Sequence, residues 1–343
     1  MQGHRRDRPG VYILQVRCGL QDDGIVKGKN TEMLPIQNNF TPAKLPDDLG
    51  LPGSSKLSYQ IGGITFGLEA EGHLRLNLER ELLAFAVQTG SCDVNLKISW
   101  VDSLRVPNST LLFHSGGLWS LFAESNGYRF SFLSSLLGMT PYKEAWFDSE
   151  FRTGRVLLSR RYFDSDRPVY PLEYPLDELL MIHRLSRGQG VEMHAVGISN
   201  ENGRGHLFLG HSGAGKSTTA RLWTGRPGVR ILSDDRIILR ERDGRIWMYG
   251  TPWHGDAGIA SPECAPLSSI YLLARGKHND RLPLSPGMAA AELFSRTFAT
   301  HHSSEGIRFS LEFLDRVVQE VPCYLFKFVP DESAVEAICR AEV

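Results

Sequence analysis

The run Gly210-His211-Ser212-Gly213-Ala214-Gly215-Lys216-Ser217-Thr218 satisfies the phosphate-loop pattern G-x-x-x-x-G-K-[ST] in full. Glycines let backbone N–H groups converge on phosphate oxygens without interference from a Cβ, and Lys216 brings a cation to the β- and γ-phosphates. Ser217 offers a hydroxyl to Mg²⁺, and a helix that starts there points its positive end at the bound anion. Gly210, Ser212, Gly213, Ala214, Gly215, Lys216, Ser217 and Thr218 are therefore the candidate nucleotide-binding residues.

A second group follows closely. Val229-Arg230-Ile231-Leu232-Ser233 reads as an apolar strand that ends in two adjacent carboxylates, Asp234 and Asp235. A metal–triphosphate complex needs an acid to hold Mg²⁺, and transfer to an alcohol needs a base for the alcohol proton. Two neighbouring Asp could supply both roles, although a strand-end pair can also cap a turn before Ile237-Ile238-Leu239. Further candidates are His194, on the strand-like run before Gly197, and Asp256, with Trp253 and His254, in the Gly/Pro loop after Ile246-Trp247-Met248-Tyr249. A lone strand histidine is more often structural, and loops with Asp are often plain turns; loops at strand ends also carry ligand contacts.

Elements of suitable type surround these groups. Leu207-Phe208-Leu209 predicts a strand entering the loop, and Thr218 to Trp223 a helix leaving it, as the mechanism requires. Between Lys56 and about Ser165 the pattern is strand-like: Ile61 to Leu68, Val94 to Val101, Thr110 to His114, Leu118 to Glu124 and Tyr128 to Phe132, interrupted by a helix over Leu78 to Gln88. Prolines 168 and 171 mark a boundary, after which helices are predicted over Asp177 to Arg187, Met288 to Phe298 and Gly306 to Glu320, with a strand at Cys323 to Val329. Residues 1–56 carry loop chemistry and read as a poorly ordered segment, with one strand at Val11 to Val16; Met33 as the true start would explain the same tail. The expected division is thus 1–56, a β-rich accessory or substrate domain over 57–168, and a nucleotide-binding domain over 169–343.

The chain has 343 residues and a formal net charge of −1, so it lacks the electrostatic footprint of a nucleic-acid or anionic-membrane binder. No apolar stretch approaches the length of a membrane span. Cys18, Cys92, Cys264, Cys323 and Cys339 are dispersed without a C-x-x-C pair, which favours reduced thiols in a cytoplasmic protein over disulfides or zinc.

Taken in order, His194, Gly210 to Ser217, Gly228 with Arg230, and Asp234-Asp235 resemble the HPr kinase/phosphorylase superfamily, which is related to the nucleotide site of ATP-dependent phosphoenolpyruvate carboxykinase. The resemblance covers about residues 190 to 260 and leaves the β-rich region unassigned. Thr218 stands where HPr kinases carry Glu, and their downstream Gly-rich signature is missing, so the chain is more similar to relatives outside the true HPr enzymes. The resemblance implies an α/β (mixed α+β) fold, a β-rich N-terminal domain followed by a phosphate-loop domain with a mixed sheet. It implies ATP and Mg²⁺ as cofactors. Lys216 and the loop would bind phosphates; one of Asp234 and Asp235 would act as base and the other as metal partner, with His194 close by. Ser217, Asp235 and Asp256 would face the metal. The implied activity is transfer of the γ-phosphate to a serine-type hydroxyl of a protein, peptide or small molecule. The alternatives are a nucleotide-dependent regulatory or binding protein and, ranked lower, a carboxykinase-type enzyme; a homo-oligomer is left open.

Overall fold

A computed structural model describes residues 53–134, 137–300 and 302–340, which belong to one unit beginning at Pro46. The tail over 1–52, with the strand expected at Val11 to Val16, lies outside the described residues. The fold is mixed α/β, built on two mixed sheets.

The first sheet has eight strands in the order β1-β2-β3-β8-β7-β6-β5-β4. These are β1 (Lys56–Ile61), β2 (Ile64–Ala70), β3 (Val94–Val101), β4 (Thr110–His114), β5 (Trp119–Glu124), β6 (Gly127–Ser134), β7 (Gly138–Asp148) and β8 (Thr153–Ser159). β2, β3 and β8 run parallel and the other neighbours antiparallel. Two sequence expectations are corrected here. The strand expected over Ile61 to Leu68 is a hairpin, because Gly62 and Gly63 both take positive φ (59° and 70°) and make a two-residue turn that matches strand twist. The helix expected over Leu78 to Gln88 is only a 3₁₀ segment, Arg80–Phe85. Its buried residues Leu82 and Phe85 are three apart, the spacing that eclipses in a 3₁₀ turn. Beyond it the backbone is drawn out against β1, with Ala86 bridged to Tyr59 and the Val87 amide donating to the Ser58 carbonyl (3.0 Å).

The second sheet carries the candidate site. Its main path is β12-β10-β11-β15-β14-β13-β9, with β17 beside β15 and β16 beside β17. The strands are β9 (Val191–His194), β10 (Val196–Ser199), β11 (Gly205–Leu209), β12 (Arg230–Ser233), β13 (Arg236–Arg242), β14 (Arg245–Tyr249), β15 (Cys264–Arg275), β16 (Asp280–Pro283) and β17 (Cys323–Phe328). Helices α1 (Leu176–Leu185), α2 (Lys216–Trp223), α3 (Pro286–Phe294), α4 (Ser304–Glu320) and α5 (Glu332–Arg340) complete the structure. α4 buries Phe313, Leu314, Val317 and Val318 on one stripe, the spacing of an amphipathic helix against a sheet.

The core of the first sheet continues past Pro168. Tyr170, Leu172, Leu176, Leu180, Met181 and Leu185 join it, as do Ile238 of β13 and Tyr249 of β14. The β1–β2 turn also reaches the second sheet: the Gly62 carbonyl accepts from Arg240 Nη1 (2.6 Å), and a Cβ at Gly62 would lie 2.8 Å from Ile238 Cδ1. α1 is thus packed in the first core while its first turn faces the site described next.

Candidate functional site

Strand order brings distant segments to one edge of the second sheet. β10 lies antiparallel between β11 and β12, so the ends of β11 and β12 and the start of β10 share that edge. β11 runs into the phosphate-loop segment, and β12 runs into Asp234-Asp235. β9 pairs with β13 in a register that sets His194 opposite Arg236, and the Ala195 amide donates to the Asp235 carbonyl (3.1 Å). β14 returns antiparallel to β13 and delivers the 250–259 loop to the same place, where Thr251 Oγ1 donates to the Arg236 carbonyl (2.8 Å).

The loop itself has the expected strand–loop–helix form. Gly215 sits at the N-cap of α2 with φ of 113°, and no side chain caps the helix. A Cβ there would meet the Phe328 ring at 2.6 Å, so both conformation and space require glycine. The first-turn N–H groups of α2 have no partner within the helix. Lys216 is buried, and its ammonium donates to the Gly210 carbonyl (2.9 Å). Burial lowers its pKa; Asp235 opposes that, while Arg296 and Arg236 add to it. Ser217 and Thr218 are half-buried in the same turn, and Ser212 and Gly213 are exposed.

The two aspartates have different surroundings. Asp234 is 3% exposed, and its carboxylate accepts the backbone N–H groups of Gly255 (3.0 Å), Ala257 (2.8 Å) and Ile259 (3.3 Å). It is the anchor of the 250–259 loop. Asp235 is more open and faces functional groups: His194 Nδ1 lies 2.9 Å from Oδ1, and Arg236 Nη1 bonds Oδ2. Burial alone would raise the Asp235 pKa, but the hydrogen bond from His194 and the charges of Arg236, His194 and Lys216 hold it below the usual carboxylate value. Of the pair, Asp235 is the one whose carboxylate faces His194 and Arg236.

Asp256 is exposed on the loop that Asp234 anchors. Its neighbour Gly255 packs so closely on the pair that a Cβ would lie 3.0 Å from Asp234 Oδ2 and 3.3 Å from Asp235 Cβ. His254 turns its Nδ1 to the Gly255 carbonyl (3.1 Å), and Trp253 Nε1 donates to Asp177 Oδ2 (2.9 Å).

Several participants carry no motif. Arg236 directly follows the Asp pair and reads as the first residue of β13, yet it is the hub of the site. Its Nε donates to Glu178 Oε1 (2.7 Å), Glu192 Oε1 lies 3.7 Å away, and its guanidinium lies over the Phe298 ring (4.4 Å). Arg296, after α3, is buried beside the loop: its Nη2 lies 3.2 Å from His211 Nε2, and its carbonyl accepts from the His194 amide (2.8 Å). Arg296 Nε is buried without a hydrogen-bond partner among the described residues. No sequence signal pointed to Arg296, because it reaches the site through packing along β9.

These residues suit a polyanion. Lys216 opens the uncapped α2, and the charges of Asp235, Arg296 and Arg236 are close enough to act on its ammonium. Among the described residues, no three His, Cys, Asp or Glu side chains gather to hold a metal by themselves. A magnesium ion carried on a triphosphate asks for less from the protein, since phosphate oxygens and water supply most of its ligands. Ser217 and Asp235 are the donors of suitable chemistry at that end of the sheet.

No family model matches this chain, and no curated protein does. Among solved structures, it is similar to the HPr(Ser) kinase/phosphatase from Coxiella burnetii, a distant neighbour. The overlap covers 44% of this chain and 95% of that one, at 13% identity and a TM-score of 0.27. A likeness that loose transfers no residue roles, and the site stands on its own geometry. No helix among the described residues is long and apolar enough to cross a membrane.

Proposed function

We propose that the chain is an ATP- and Mg²⁺-dependent kinase that transfers the γ-phosphate to a hydroxyl of a protein, peptide or small molecule. One observation carries the reading: Asp235 is held by His194 and Arg236 within electrostatic reach of Lys216, whereas its neighbour Asp234 is occupied by loop amides.

Each residue then has a physical task. The α2 N-terminus, the loop amides and Lys216 bind the triphosphate and orient it, and Ser217 would hold the metal side. Arg296 and Arg236 add positive charge where negative charge accumulates during transfer. Asp235 accepts the proton of the acceptor hydroxyl as its oxygen bonds the γ-phosphorus and the bond to the leaving diphosphate breaks. His194 orients Asp235 and lies beside that proton. ATP supplies the phosphoryl group, and Mg²⁺ neutralises its oxygens. A candidate base beside the phosphate loop supports transfer over nucleotide binding alone, since a protein that only binds nucleotide does not need one.

The test is transfer of ³²P from γ-labelled ATP across a panel of hydroxyl-bearing proteins, peptides and metabolites. An acid-stable phosphoester that disappears in Asp235→Asn and Lys216→Ala is the expected result. An acid-labile product, or inorganic phosphate alone across the whole panel, refutes hydroxyl transfer.

A further inference from the structure

Two adjacent carboxylates at the start of α1 each hold a different half of the site. Glu178 Oε1 accepts from Arg236 Nε (2.7 Å), and Arg236 in turn holds Asp235 and faces His194 Nδ1 (3.2 Å). Asp177 Oδ2 accepts from Trp253 Nε1 (2.9 Å), in the loop that Asp234 anchors, while its Oδ1 accepts the Glu178 amide (2.8 Å). Both carboxylates are buried. α1 cannot shift to relieve them, since Leu176, Leu180, Met181 and Leu185 are fixed in the core of the first sheet.

We propose that Asp177 and Glu178 are positioning residues, through which the first sheet sets the geometry of the site: Glu178 by way of Arg236 aims Asp235 and His194, and Asp177 by way of Trp253 fixes the 250–259 loop. The charge arrangement agrees with this. Burial works against the Arg236 charge, but Glu178, Asp235 and Glu192 around it outweigh that and keep its pKa raised. Glu192, fully buried and next to Glu178, has its pKa driven far up, first by burial and then by Glu178. Arg236 is thus suspended between Glu178 and Asp235, with a direct bond to each. Removing the Glu178 charge frees the guanidinium to turn wholly onto Asp235 or Glu192, which changes the electrostatic field at His194.

The consequence for chemistry rests on the phosphoryl-transfer reading, but the geometry can be checked without it. In ¹⁵N spectra of the full chain, the His194 imidazole signals, assigned by their loss in His194→Gln, move in Glu178→Gln and move less in Glu178→Asp, which keeps the charge. Binding of ATP–Mg²⁺ by calorimetry weakens far less than transfer, by less than about tenfold, because the phosphate loop and Lys216 are kept while Arg236 and Asp235 are only re-aimed. Transfer falls on the order of 10²-fold, the cost of misplacing a reacting group by about 1 Å. Trp253→Phe keeps an aromatic ring, though a smaller one, but removes the donor to Asp177, lowers transfer at unchanged nucleotide affinity, and carries the test if Glu178→Gln does not fold. Unmoved imidazole signals in Glu178→Gln overturn the proposal, as does loss of nucleotide binding in step with transfer, which would mean a general structural role. If wild type phosphorylates no acceptor, the kinase reading fails, and the imidazole signals still decide this one.

Discussion

Asp234 and Asp235 are neighbours with the same chemistry, and their removal should have opposite signatures. Asp234→Ala strands three backbone N–H groups that now donate to its carboxylate at 2.8–3.3 Å. A hydrogen bond to a charged group contributes about 1.5–3 kcal/mol. Allowing water to reach part of the loosened loop, the loss comes to about 4 kcal/mol. For a chain of 343 residues 1 kcal/mol moves the melting temperature by about 1.5 °C, so Asp234→Ala should melt about 6 °C below wild type. Asp235→Asn keeps the size of the side chain at a partly open position and still accepts one hydrogen bond. Its melting temperature should shift by no more than a few degrees, while transfer falls by about 10²–10⁴-fold as for loss of a general base. Thermal unfolding followed by scanning calorimetry, with ³²P transfer measured well below both transitions, separates the two. The reasoning is refuted if Asp235→Asn is the less stable variant, or if Asp234→Ala melts with wild type.

Other outcomes follow from the same geometry. Lys216→Ala should weaken ATP–Mg²⁺ binding with little change in melting temperature; equal calorimetric affinity in wild type and variant removes the loop from the site. Burial pushes the Asp177 pKa up to about 7, so between its unfolded value near 4 and about 7 the folded state holds a proton that the unfolded state has lost. That group's contribution to stability is full below pH 4 and declines as pH rises to 7, by at most about 1.4 kcal/mol per pH unit. Denaturant unfolding of Asp177→Asn at pH 5 and pH 8 should show the variant gaining on wild type at the higher pH; a constant difference contradicts the shift. A chain beginning at Val169 leaves the apolar face of α1 uncovered and should show no cooperative transition by circular dichroism, and a soluble fragment that binds ATP–Mg²⁺ would show that the second sheet folds alone.

The parts of the site that are contiguous in sequence could be read from it. The phosphate loop, the Asp pair and the 250–259 loop are each local patterns, and the strands that carry them are short apolar runs with clear ends. What the sequence did not separate was Asp234 from Asp235, because the difference is made by amides of residues 255, 257 and 259 folding back across the strand end. Arg236, Glu178 and Arg296 were missed for a related reason. Arg236 meets Glu178 through packing of α1, and Arg296 meets β9 at His194, which no local spacing encodes. The glycines 62 and 63 sat inside a run of apolar alternation, so a hairpin looked like one strand. Over Leu78 to Gln88 the apolar spacing fitted a helix, but pairing of 86 and 87 with β1 offered the backbone better partners.

The docking of Gly62 onto Arg240 joins residues 178 positions apart. A chain made at roughly 5–20 residues per second leaves the hairpin waiting about 10–35 s before β13 emerges from the ribosome. α1 emerges about two-thirds of the way through that interval, but Ile238 and Tyr249, which belong to the first core, arrive only at its end or just after. The first core therefore receives its last side chains only once β13 and β14 have been made, so completion of that core waits on the strands that carry the site.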